Sequence, residues 1–339
     1  MFSVKIAFFE INDWEKKNLQ QNLAGHDLFF FDEPLNSENV HKASSADVIS
    51  VFIYSVLDEP VLEKLQNLKM VATRSTGFDH IDIEYCNKNS ISVSNVPTYG
   101  ENTVAEHTFA LILSLSRNIH KSYVRSLRDD FSTDGLKGFD LKGKTIGVVG
   151  AGKIGLHVIR MAKGFGMNVL AFDVTHNNFL EEILGYEYVG FNELLQSSDI
   201  ICLCVPYNKH TYHLININNI SDIKRGALLI NTSRGAVVET DALLKALNEG
   251  ILSGAGLDVI EGENLIKEEK EILHDPNKSE ELKILAKDQE ILKKENVVYT
   301  PHIAFYSQEA LERIIKTTIE NIKSLEDTIG KNPKNVVNQ

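Results

Sequence analysis

The chain has 339 residues, 43% of them hydrophobic, and a net charge of −12, enough for two ordinary domains with real cores. That acidic balance argues against nucleic acid or an anionic membrane as the main partner. Three cysteines without framework spacing point to a reducing cytoplasm. Glu10 interrupts the short apolar run at the N-terminus, so no signal peptide is read there, and no run approaches the ~18–20 apolar residues of a membrane span.

Val4–Phe9 reads as a first buried strand. Asp13 is placed to cap a helix from Trp14, with Gly25 ending it. His26–Phe31, Asp47–Tyr54, Leu68–Arg74 and Ile91–Asn95 read as further strands, with helices over Val61–Leu65 and Ile81–Lys88. This alternation predicts an α/β unit, and it has no glycine-rich turn of the dinucleotide type. After Pro97 and Gly100, one long helix is expected over Asn102–Arg128, followed by a loop at Gly135–Gly143.

The densest signal lies between Thr145 and Asp173, TIGVVGAGKIGLHVIRMAKGFGMNVLAFD. A β-branched run, Thr145–Val149, leads directly into Gly150-Ala151-Gly152-Lys153-Ile154-Gly155, a helical pattern and a second apolar run ending in Asp173. Gly150 suits the tight turn, Gly152 the approach of a pyrophosphate and Gly155 close helix–strand packing. The helix N-terminus supplies amides and a positive dipole end. Asp173 lies about 18 residues beyond Gly155, near the spacing of a ribose-binding acid. A glycine-rich turn with an unrelated Asp is the rival reading, but it must explain strand, helix, second strand and acid together. No Arg or Lys follows in Val174–Asn178 to meet a 2′-phosphate, so NAD(H) is expected over NADP(H).

Further strands are expected at Asp199–Val205, Ala227–Asn231, Gly254–Val259 and Asn296–Thr300, with Cys202 and Cys204 buried in the first. Amphipathic helices follow at Asp241–Glu249 and from Gln308 to about Thr328. Asn264–Asn296, rich in Glu and Lys, reads as a solvated helical insertion over the rim of the site. The chain from Lys331 reads as a frayed tail.

Ligands of open α/β sheets sit at the carboxyl ends of the strands. Arg234, Glu263 and His302 each follow a predicted strand at that end. Arg234 suits a substrate carboxylate by bidentate pairing. His302 suits a general acid/base, and Glu263 beside it would favour the imidazolium. Each residue alone also fits a structural loop role, and the case rests on the three together beside a dinucleotide site.

The segments Thr73–Asp82 (TRSTGFDHID), Val96–Thr108 (VPTYGENTVAEHT), Val148–Gly155 (VVGAGKIG), Asn231–Val238 (NTSRGAVV), Gly254–Glu263 (GAGLDVIEGE) and Thr300–Ser307 (TPHIAFYS) together resemble the D-isomer-specific 2-hydroxyacid dehydrogenases, most closely their D-lactate dehydrogenase branch. The resemblance spans nearly the whole chain. It implies two Rossmann- or flavodoxin-like doubly wound α/β domains with parallel sheets and a cleft between them: a substrate domain from residues 1–101 plus 302–339, and an NAD-binding domain from 102–301. It implies that Arg234, Glu263 and His302 are catalytic, with Glu263 rather than Glu261 as the histidine's partner. Thr76 and Gly77 then face the substrate carboxylate, and Tyr99, Phe52 and Phe305 border the substrate. Lys153 and Ile154 join the three glycines and Asp173 at the cofactor, with Val205, Pro206, Thr232 and Asp258 at its ribose and nicotinamide end. Asp258 is placed to hold the carboxamide. No metal is expected, and a homodimer is, built largely on the Asn102–Arg128 helix. Cys204 departs from the histidine that lactate-type members often carry before Val-Pro.

The implied reaction is reduction of a small 2-keto acid by NADH, pyruvate to D-lactate foremost. Hydroxypyruvate, glyoxylate or a bulkier 2-keto acid is the alternative substrate. An NAD-sensing, corepressor-like binding protein is the alternative from another class, and the complete Arg–Glu–His set speaks against it.

Overall fold

The computed structural model describes residues 3–263, 279–326 and 333–338. The chain forms two compact units, Met1–Tyr99 with Ser307–Gln339 and Gly100–Tyr306. In both, the strands are short and parallel, and the central ones are apolar and buried on both faces.

The first unit holds a five-stranded sheet: β1 (Lys5–Phe8), β2 (Asp27–Phe30), β3 (Val48–Val51), β4 (Met70–Thr73) and β5 (Ser92–Ser94), in the order β2-β1-β3-β4-β5. That is the flavodoxin-like winding, which reverses between β1 and β3. One face buries Ile6, Phe8, Val48 and Met70 against Leu19, Leu23, Ile315 and Ile322. These partners lie in or beside the helices Asp13–Asn22 and Gln308–Glu326. The other face packs Ala7, Ile49, Val71 and Val93 under Leu35, Leu57, Leu62 and Cys86.

Two expectations are corrected here. The first helix is capped by Asn12, not Asp13: the Asn12 backbone N–H donates to Glu15 Oε2 at 2.8 Å, the reciprocal half of a capping box. Of the tail read as frayed from Lys331, residues 333–338 are docked. Asn338 is buried, accepts from the Val93 N–H at 2.5 Å and donates to the Ile91 carbonyl at 2.8 Å. Asn335 donates to Asn321 Oδ1 at 2.7 Å. A terminal strip with no apolar run docks by satisfying the outer edge of β5.

The second unit holds β6 (Thr145–Val149), β7 (Asn168–Phe172), β8 (Glu187–Tyr188), β9 (Ile200–Leu203), β10 (Ala227–Asn231), β11 (Leu252–Leu257) and β12 (Val297–Tyr299). Their order is β12-β11-β10-β9-β6-β7-β8, the doubly wound arrangement that reverses between β6 and β9. Cys202 is buried within β9, whereas Cys204 lies past the strand and is half-buried.

The single helix expected over Asn102–Arg128 is two helices, Glu101–Ser116 and Ile119–Ser126. Asn118 between them is left-handed, with φ 51°. The Ser116 carbonyl is taken by the Phe139 N–H at 2.9 Å, and Gly138 lies so close that a Cβ there would stand 2.2 Å from the same oxygen. The returning loop, which apolar periodicity does not report, ends the helix.

The charged stretch is also corrected in part. Residues 264–278 lie outside the described residues. The remainder forms the helix Ser279–Leu292, which buries Leu285, Asp288 and Ile291 instead of standing solvated.

Candidate active site

At the β6/β9 reversal, Gly150 has φ +95°, and a Cβ on it would meet the Cys204 carbonyl at 2.8 Å. A Cβ on Gly155 would lie 1.9 Å from the Gly150 carbonyl oxygen, so the helix Lys153–Gly164 presses on the turn as a glycine there requires. Gly152 caps that helix with no side-chain acceptor, and open space surrounds its absent side chain. Backbone can therefore approach a phosphate at the positive end of the helix. Asp173 follows β7 directly. Its carboxylate accepts from the Ala151 N–H at 2.8 Å and the Thr175 N–H at 3.0 Å, so the acid fixes the glycine turn. Lys153 lies within 3.9 Å of Glu101, and Ile154 is half-buried in the first helical turn. These residues fit an NAD pyrophosphate and ribose. Val205 and Pro206 follow β9, and Thr232 follows β10, its hydroxyl 3.0 Å from that of Thr108.

Arg234, Glu263 and His302 follow β10, β11 and β12, three neighbouring strands in register at Asn231, Leu257 and Tyr299. Asn231 is buried and shapes the arginine loop. It donates to the Arg234 carbonyl at 3.0 Å and accepts from the Ser233 amide and hydroxyl. The Arg234 guanidinium donates to the Ser233 carbonyl at 2.9 Å. Glu263 Oε1 lies 2.9 Å from His302 Nδ1, with both side chains mostly covered, at 20% and 16% exposure. That contact leaves Nε2 as the ring nitrogen for a substrate. The other Glu263 oxygen is buried and has no hydrogen-bond partner among the described residues. The Phe305 ring stands edge-on to His302, with centroids 6.4 Å apart.

His302 is held in a left-handed backbone, φ 54°, and its N–H reaches the Asp258 carbonyl at 2.8 Å. Asp258 itself is 1% exposed. Its carboxylate accepts from the Thr300 hydroxyl at 2.6 Å and from the Ile303 and Ala304 amides, both at 2.9 Å. In this structure it therefore braces the histidine loop. His107 adds to the brace, with Nε2 2.9 Å from the Thr300 hydroxyl and 3.5 Å from Asp258. Burial pulls His107 below the ordinary imidazole range, against the opposing pull of Asp258.

Glu261 turns away from His302. It pairs with His213 at 2.5 Å and accepts from the Thr240 amide and hydroxyl. The Gly262 N–H donates to Asp288 at 3.1 Å, and burial pushes that carboxyl up to about 7. Sequence reasoning missed His107, His213, Asn231, Thr240 and Asp288. Only Asn231 carried a local signal, an Asn two residues before the polar turn it closes.

In the first unit, Phe52 follows β3, and Arg74, Thr76 and Gly77 follow its neighbour β4. Thr76 is fastened by its hydroxyl to the Val96 carbonyl at 2.8 Å and by its own carbonyl to Asn95 Nδ2 at 2.8 Å. The Tyr99 carbonyl accepts from Arg313.

Residues 109–304 match the family described as D-isomer specific 2-hydroxyacid dehydrogenase, NAD binding domain. The D-lactate dehydrogenase of Escherichia coli is 36% identical over 95% of this chain and 97% of its own. The glyoxylate reductase of Thermococcus litoralis is 38% identical over 88% of this chain and 86% of its own. Among solved structures, D-lactate dehydrogenase from Aquifex aeolicus, complexed with NAD and lactic acid, superposes with a TM-score of 0.87 at 38% identity, covering 98% of each chain.

Proposed function

Because the chain belongs to the D-isomer-specific 2-hydroxyacid dehydrogenase family, an NAD-binding group of oxidoreductases, we propose that it reduces pyruvate to D-lactate with NADH. The observation that carries this reading is the 2.9 Å contact of Glu263 with His302 Nδ1, at the ends of β11 and β12, which lie in that order beside β10, the strand that presents Arg234.

Bound NADH supplies a hydride to C2 of the keto acid. Arg234 anchors the carboxylate through its planar fork. His302 delivers a proton from Nε2 to the carbonyl oxygen, while Glu263 holds Nδ1 and keeps the ring in orientation. Asp258, Thr300 and His107 keep the histidine loop in place. Thr76, Gly77, Tyr99 and Phe52 serve the substrate from the carboxyl edge of the five-stranded sheet, and Phe305 serves it beside His302. Val205, Pro206, Thr232 and Asp258 serve the ribose and nicotinamide end of the cofactor.

A homodimer fits the second unit. Tyr123, Leu127 and Phe131, along and after the helix Ile119–Ser126, are 63%, 67% and 79% exposed, large apolar side chains that an interface would cover. The cysteines are all free, which suits the reducing cytoplasm. Light scattering on the eluted protein tests the dimer.

NADH oxidation measured across pyruvate, glyoxylate, hydroxypyruvate, phenylpyruvate and 2-oxoisocaproate tests the function. Pyruvate is expected to have the highest kcat/KM. A glyoxylate optimum would favour the second reading, which the likeness to a glyoxylate reductase supports. His302→Ala is expected to abolish turnover while NADH still binds, and retained turnover would overturn the assignment of His302. No turnover by the native protein with any of the five would overturn the enzyme reading.

A further inference from the structure

In the first unit the winding reverses between β1 and β3, and the crevice at such a reversal is where open α/β sheets receive ligands. The two segments that leave these strands are Phe9–Glu10 and Phe52–Ser55. One carboxylate joins them. Glu10 Oε2 accepts from the Phe52 N–H at 2.9 Å, the Ser55 N–H at 3.2 Å and the Ser55 hydroxyl at 2.5 Å, and Oε1 accepts from the Tyr54 N–H at 2.8 Å. Charge-assisted bonds of this kind are about twice as strong as neutral ones.

The Glu10 backbone is held left-handed, φ 54°, a conformation that persists only where the surroundings over-determine it. Arg74 supplies that constraint. It is 1% exposed and donates to the carbonyls of Phe9 and Glu10, both at 2.7 Å, and to the Ser50 hydroxyl at 3.1 Å. Its guanidinium carbon lies 6.0 Å from the centroid of the Phe52 ring, over its face. The Phe52 backbone is thus pinned from one side and its ring is supported from the other. Glu10 and Arg74 make no use of the Arg234–Glu263–His302 chemistry.

We infer that Glu10 is a specificity-determining positioning residue: through the Phe52–Ser55 segment it sets where the Phe52 ring stands and so which 2-keto acid side chain is accepted. This rests on the reading of the protein as a 2-keto acid reductase. Glu10→Gln keeps the size of the side chain but turns one oxygen into an NH₂ group facing N–H donors, which releases the segment.

The test compares kcat/KM for glyoxylate and phenylpyruvate in the native protein, Glu10→Gln and Ser55→Ala, with NADH affinity followed by fluorescence. In Glu10→Gln the ratio between the two substrates is expected to move by about tenfold, through KM, with kcat for the better substrate and NADH affinity within about twofold of native. Ser55→Ala, which removes one donor and keeps the carboxylate, is expected to move the ratio in the same direction by less, and it serves as the test if Glu10→Gln does not fold. An unchanged ratio in the folded variants overturns the inference and leaves the proposed function standing. A native protein that reduces neither these nor the other keto acids overturns both.

Discussion

Gly235 backs onto the carbonyl of Ile260 so closely that a Cβ on it would stand 2.0 Å from the oxygen and 2.6 Å from the Glu261 nitrogen. The residue after Arg234 is therefore in direct backbone contact with the turn that ends in Glu263. Two groups of the candidate site, far apart in sequence, share one packing interface.

Gly235→Ala must push these two backbones apart, since neither obstacle is a flexible side chain. A displacement near 1 Å at a reacting group costs on the order of 10²-fold in rate. kcat/KM for the best keto acid is expected to fall by about that factor, with a lower melting temperature. Steady-state kinetics with a thermal scan check it, and native kinetics would show that the contact is not needed.

Asp173 holds the Ala151 amide inside the glycine turn. Asp173→Ala removes the brace and the carboxylate expected to repel a 2′-phosphate. KM for NADH is expected to rise by about tenfold or more, about 1.4 kcal/mol, and the preference for NADH over NADPH is expected to shrink. Parallel titration of the two cofactors measures both effects.

Asp288 is buried under the Glu261–Glu263 turn, and burial lifts its carboxyl to about 7 from 3.8. Glu261 is the charged neighbour that adds to the lift, and the Gly262 N–H opposes it. A folded pKa above the unfolded one means that the folded chain holds a proton the unfolded chain has released. The stabilisation is therefore complete below about pH 4 and is lost as pH rises through about 7. Asp288→Asn is neutral throughout, so its stability relative to the native protein is expected to grow by on the order of 2–3 kcal/mol between pH 5 and pH 8. Urea unfolding at the two values checks the sign. A constant difference would mean that Asp288 does not titrate in this range.

Asn338 satisfies the Val93 N–H and the Ile91 carbonyl near the end of the chain. Asn338→Ala leaves both groups of the β5 edge without that partner and is expected to cost about 1–3 kcal/mol. Chemical denaturation measures it. A loss near zero would show that water replaces the side chain.

Every strand but β8 was legible because a parallel strand buried on both faces is an unbroken apolar run, as Ile200–Leu203 and Ala227–Asn231 show; β8 is only the exposed and half-buried pair Glu187–Tyr188 and carries no such run. The glycine turn was legible because its spacing is fixed by local geometry, and the positions of Arg234, Glu263 and His302 followed from their place just after strands. The helix break at Asn118 was not legible. It is caused by Phe139 and Gly138, some twenty residues away in the chain, and hydrophobic periodicity carries no record of such a partner.

The sequence by itself determined two α/β units, a dinucleotide-binding turn and three chemically apt residues at strand ends, because those features are encoded by neighbours along the chain. The family resemblance already paired Glu263 with His302, as the structure has it, whereas only the tertiary structure decided that Glu261, one residue before Gly262, meets His213 instead. It also decided that Asp258 braces the histidine loop, that Asp288 lies buried beneath the acidic turn, and that Glu10 fastens Phe52–Ser55. Each of these depends on which strand lies beside which, and hydrogen bonds between side chains distant in sequence exist only once the sheet order has brought them together.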